Sequence, residues 1–82
     1  MNPEAVIRRV AEMEERFDRL LERQNRGEVR KDDPDLAILT DYYESGLWLA
    51  DYTLDEQGLL PRDLKRGVLS QDGLWDLLEG SF

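Results

Sequence analysis

Neither cysteine nor histidine occurs in the 82 residues. Without cysteine there is no disulfide and no thiolate site. Without histidine the chain lacks the commonest general base, the usual switch near neutral pH and the commonest metal ligand. Ser–His and Cys–His nucleophile pairs and zinc-type sites are excluded. Paired carboxylates could hydrolyse in principle, but need a cleft that so small a helical domain rarely supplies. No apolar run reaches the length of a membrane span, and the N-terminus has no signal-like apolar core. The expectation is a cytoplasmic, non-enzymatic protein with no metal and no cofactor.

Basic residues are absent from a long central stretch. Asp32 through Leu60 holds eight acids and no base. The first 26 residues balance, six acids against six arginines, so the whole net charge of −8 falls after them. Such a chain is not expected to bind nucleic acid directly, nor an anionic membrane. A domain of this length buries only about 60–65 % of its unfolded surface, so its stability margin is thin.

What is present reads as helix. Asn2-Pro3-Glu4 combines a cap, a proline at the first helical position and an acid near the positive end of the dipole. Val6, Val10, Met13, Phe17 and Leu20 then recur at spacings of 4, 3, 4 and 3, one face of a helix. The first helix should span about 3–26 and stop at Gly27. Asp33-Pro34-Asp35 repeats the start signal, and a second helix is expected over about 34–57. Leu36, Leu39, Tyr43, Leu47, Ala50 and Leu54 would share its buried arc of about 80°. Ile38, Tyr42 and Leu49 would extend that arc. Asp41, Glu44, Trp48, Asp51 and Asp55 would lie on the remaining side. Gly46 is positioned to loosen this helix or admit a close neighbour.

After Gly58 comes a corner over 58–69, with a short helical turn expected from Pro61 to Lys65. Ser70 should cap a last helix over about 71–79, ended by Gly80, with Trp75 in the core or packed locally. No strand pattern or repeat is seen. The fold class is all-α: a single domain over 1–82, a long antiparallel two-helix hairpin plus a short C-terminal helix, three-helix-bundle-like.

The run from Tyr42 onward carries Trp48 with Asp51, then Asp55, Glu56 and Gly58, then LPRDLKRGVLSQD from Leu60 to Asp72, then Leu77 and Leu78. This string resembles a small bacterial domain-of-unknown-function family, DUF4298. The resemblance implies a bacterial, helical, non-catalytic domain and brings no activity with it. Gly73 departs from the pattern, standing where a helix-favouring residue is more usual.

Four candidate sites follow from the residues. Arg62, Lys65 and Arg66 form a basic trio beside Gly67 and Ser70. They would hold a small anion or a partner's acids, or else pair internally with Asp51, Asp55 and Glu56 at the end of the second helix. The acidic row of Asp41, Glu44, Asp51, Asp55 and Glu56 is a solvated face, a face for a basic partner, or a weak cation site through Asp51 and Asp55. Trp48 among those acids is either an interface anchor or covered by the segment that follows. The partner-binding surface expected from this combines Trp48, Asp51, Asp55, Arg62, Lys65 and Arg66. The stripe of Val6, Val10, Met13, Phe17 and Leu20 packs on the second helix, or it forms a homodimer seam. The function expected is a small acidic module that binds another protein. The alternatives are a nucleic-acid-mimicking inhibitor of a basic protein and a metal- or anion-binding domain.

Overall fold

The computed structural model describes residues 3–70 and 72–79. The Asn2 cap and the Gly80 stop lie outside them. Among the described residues there are four α-helices and one 3₁₀ turn, and no strand. Helix α1 runs Pro3–Asn25, α2 Pro34–Glu44, α3 Leu47–Glu56 and α4 Gly73–Glu79, with the 3₁₀ turn at Gly67–Leu69. No helix among the described residues is long and apolar enough to cross a membrane.

Helix α1 is about 34 Å long at 1.5 Å per residue and sets the long axis of a 36 × 24 × 19 Å body. Val6, Val10, Phe17 and Leu20 are buried along it, and Met13 is partly buried against the same core. This apolar stripe is consumed within the chain, against α2, the 3₁₀ turn and α4. A homodimer seam on these five residues would have to open the core. The helix ends in a Schellman arrangement: Glu28 N–H donates to the Arg23 carbonyl and Gly27 N–H to that of Gln24. The same closure ends α3, with Leu59 N–H on the Leu54 carbonyl and Gly58 N–H on that of Asp55.

The single second helix expected over 34–57 is two helices. Asp33 caps α2 as the sequence signals, accepting from the amides of Asp35 and Leu36. The break falls at Ser45–Gly46. Gly46 has φ of +90°, a left-handed conformation that costs other residues about 1–2 kcal/mol. The Ser45 hydroxyl donates to the Tyr42 carbonyl and accepts from Leu47 N–H, so it serves both broken ends. Beyond the break the buried face changes. Leu47, Leu49 and Ala50 point outward, while Trp48 and Asp51 point in.

The corner also differs from expectation. Between Pro61 and Lys65 there is a turn closed by Leu64 N–H on the Pro61 carbonyl, not a helix. The helical turn starts at Gly67 and drives Val68 and Leu69 fully into the core, against α1, α3 and α4. The Ser70 hydroxyl donates back to the Gly67 carbonyl at 2.8 Å, closing the 3₁₀ turn, and α4 begins three residues later at Gly73. A Cβ on Gly73 would overlap that hydroxyl, which gives a reason for glycine there.

Candidate functional site

Three polar arrangements hold the elements together. The first is at the corner. Val68 is wholly buried, yet both its backbone groups are satisfied by side chains from elsewhere. Its N–H donates to Glu14 Oε1 at 2.7 Å, and its carbonyl accepts from Trp48 Nε1 at 2.8 Å. Glu14 sits on α1, next to the apolar stripe, and is itself buried. Gly67 leaves room for it, since a Cβ there would stand 3.2 and 3.3 Å from the two Glu14 oxygens. Arg66 braces the loop from outside. Its guanidinium donates to the Asp55 carboxylate and to the carbonyls of Pro61 and Leu64.

The second joins α1 to both halves of the broken arm. Asp51 is fully buried. Its carboxylate accepts from Arg9 Nε at 2.9 Å and Arg9 Nη2 at 2.5 Å, and from the Tyr42 hydroxyl at 2.6 Å. Burial, then the hydrogen bond to Asp51, pushes the Tyr42 phenol well above its ordinary range. Tyr42 therefore stays protonated and donating. The hydrogen bond to Asp51 likewise raises Arg9.

The third ties the end of α1 to the start of α2. Arg23 forks onto Asp33 at 2.8 and 2.9 Å and reaches Asp35 at 2.8 Å. Arg19 forks onto Asp35 at 3.1 and 3.0 Å, with Arg16 at 3.9 Å. The Arg19 hydrogen bond is the largest cause holding the Asp35 carboxyl down at about 2, with Arg23 adding to it and burial opposing. Arg9, Arg16 and Arg23 recur every seven residues, so they line one side of α1 and meet Asp51, Asp35 and Asp33 in turn.

The expected partner surface is thus not assembled as a surface. Trp48 and Asp51 are inside. Asp55 and Arg66 pair with each other. Arg62 and Lys65 are exposed and form no ion pair among the described residues. Asp51 and Asp55, one turn apart, are each taken by an arginine, so they do not stand ready as a cation pair. Among the described residues no group of three or more acids is arranged to hold a metal ion.

What does face outward is an aromatic row's end. Tyr52 stacks on Trp48 at 5.1 Å, Trp48 meets Tyr43 at 5.2 Å, and Tyr43 meets Trp75 at 6.0 Å. Trp75, expected in the core or packed locally, is 47 % exposed. It forms one wall of a depression of about 420 Å³ between α2 and α4, lined also by Thr40, Tyr43, Glu44, Leu78 and Glu79. Sequence reasoning singled out Trp48 and missed Trp75 as the exposed aromatic. Glu14 and Arg9 were also missed. The one signal in the chain was the seven-residue recurrence of arginines. Against known proteins, the family model described as a domain of unknown function, DUF4298, matches residues 4–82. No curated protein and no solved structure matches.

Proposed function

The chain belongs to the DUF4298 family, and we propose that it is a small non-catalytic module whose role is to bind another protein. The observation that carries this reading is the half-exposed Trp75 beside Tyr43 and two glutamates. A tryptophan at such a place has much area left to bury at low entropic cost, the usual property of an interface anchor. The inner polar groups support the reading by elimination. Tyr42 is held protonated, Asp51 is held by Arg9, and Glu14 is spent on a backbone amide, so none is a free base or nucleophile.

The acid-row alternatives draw less support. Asp33, Asp35, Asp51 and Asp55 spend their charge on arginines of the same chain. A nucleic-acid mimic would need that charge outward, and a cation site would need those oxygens free.

The test is affinity capture from native lysate with wild type and Trp75→Ala side by side, both checked for helicity. A partner held by wild type and lost by the folded variant is the expected result. A partner held equally by both would remove Trp75 from the interface.

A further inference from the structure

We infer that the depression between α2 and α4 docks a basic segment of a partner protein, seating one large apolar side chain of that segment against Tyr43, Trp75 and Leu78. This deepens the interaction reading above and rests on it.

The floor is pre-formed. Trp48 is pinned by its indole N–H on the Val68 carbonyl, and Tyr43 lies against Trp48. An anchor entering there meets rings that are already ordered, which lowers the entropic cost of binding. The volume of about 420 Å³ falls within the range of about 300–1,000 Å³ common for ligand-sized sites.

The rim selects charge. Glu44 and Glu79 line the depression, and Asp41 joins Glu44 in the adjoining one, where Lys31 is the lone base. Among the described residues none of these three carboxylates forms an ion pair, whereas Asp33, Asp35, Asp51 and Asp55 all do. Two acids on the rim of the apolar floor, with Asp41 beside them, complement lysine or arginine flanking an apolar residue, and they repel acidic segments and nucleic acid. A second copy of this chain is the weaker occupant, because two bodies of charge −8 repel each other.

The experiment selects twelve-residue peptides from a random displayed library on the whole folded chain. The winners are synthesised, and their sites are mapped by amide and indole chemical-shift changes. The expected winners carry two or more basic residues around one large apolar residue. They should shift the Trp75 indole and the amides of Tyr43 and Leu78. Their affinity should fall at least tenfold in Trp75→Ala and in the pair Glu44→Lys/Glu79→Lys. It should change less than threefold in the charge-matched control Glu15→Lys/Asp18→Lys. Equal losses in the groove pair and the control would reduce the effect to net charge and overturn the site. Winners that bind another face would overturn the site and leave the interaction reading standing. Winners lacking bases, or a self-associating protein whose own contact shifts these signals, would overturn the partner class. A library that enriches nothing would sink both readings.

Discussion

Arg9 and Asp51, forty-two residues apart, form a two-point ion pair in which the aspartate side chain is fully buried and the arginine side chain is 28 % exposed. The pair ties α1 to α3, and the Tyr42 hydroxyl brings α2 to the same carboxylate. Removing one partner of a buried pair strands the other charge, which typically costs about 3–5 kcal/mol. Here Arg9 can turn toward water when Asp51 is lost, so Asp51→Ala should cost about 3 kcal/mol in urea unfolding. Tyr42→Phe should cost about 1.5 kcal/mol, the loss of one hydrogen bond to a charged group. An Asp51→Ala protein with an unchanged midpoint would mean that the pair is not formed in solution.

The Val68 peptide group gives a second test. Glu14→Ala leaves its buried N–H without an acceptor, a loss of about 1–3 kcal/mol. Glu14→Gln keeps an oxygen in the same place and should cost under about 1 kcal/mol. Trp48→Phe leaves the carbonyl on the other side of the same residue unpaired. Because both changes free one docked turn, the double variant should lose less than the sum of the singles. Strict additivity of the two losses would show that Glu14 and Trp48 do not hold a common element.

These two clusters also show what could be read in advance. The ends of α1 and α3, the Asp33 cap, the all-helical class and the return of Val68 and Leu69 to the core are local matters of capping and spacing, and the sequence displays them. The inward turn of Trp48 and Asp51 is not local. Each is buried because a group far along the chain satisfies it: the Val68 carbonyl twenty residues on, and Arg9 forty-two residues back. An aspartate among other acids carries no mark of such a partner. Glu14 is hidden for the same reason, as a carboxylate beside an apolar stripe ordinarily reads as solvated. Arg66 was legible as one of two choices, and its pairing with Asp55 is the internal one. Trp48 and Asp51 together are therefore poor probes of a surface, since changing them perturbs the core.

Acid should weaken the junction of α1 and α2. The folded Asp35 carboxyl titrates at about 2, below the unfolded value of about 3.9. The unfolded chain thus binds the proton first. The stability that Asp35 contributes is full above the unfolded value and is lost as pH falls from about 4 toward about 2. Arg19 is half exposed, so solvent screening reduces the contribution to on the order of 1 kcal/mol. Subtracting the stability of Asp35→Asn from that of wild type, pH by pH, should give a plateau at neutral pH that declines across that window and shrinks in added salt. A difference that stays flat from pH 5 to pH 2 would argue against the Arg19 and Arg23 contacts.

Gly46 offers a test by sign. On one uninterrupted helix, Tyr42 and Asp51 are nine residues apart and would lie about 180° from each other, on opposite faces. Their hydrogen bond at 2.6 Å requires the arm to break and re-phase, and the positive φ of Gly46 is where it does so. A Cβ at Gly46 would meet nothing within 4 Å, so the cost of Gly46→Ala is backbone strain alone, about 1–2 kcal/mol of lost stability. Gly46→Asn should cost less, because asparagine tolerates the left-handed region better than alanine. In a continuous helix the same Gly46→Ala change would instead stabilise by about 1 kcal/mol through helix propensity. Thermal unfolding of the two variants against wild type decides between them. A raised melting temperature for Gly46→Ala would mean that residues 34–57 form one helix and that the Tyr42–Asp51 contact does not exist.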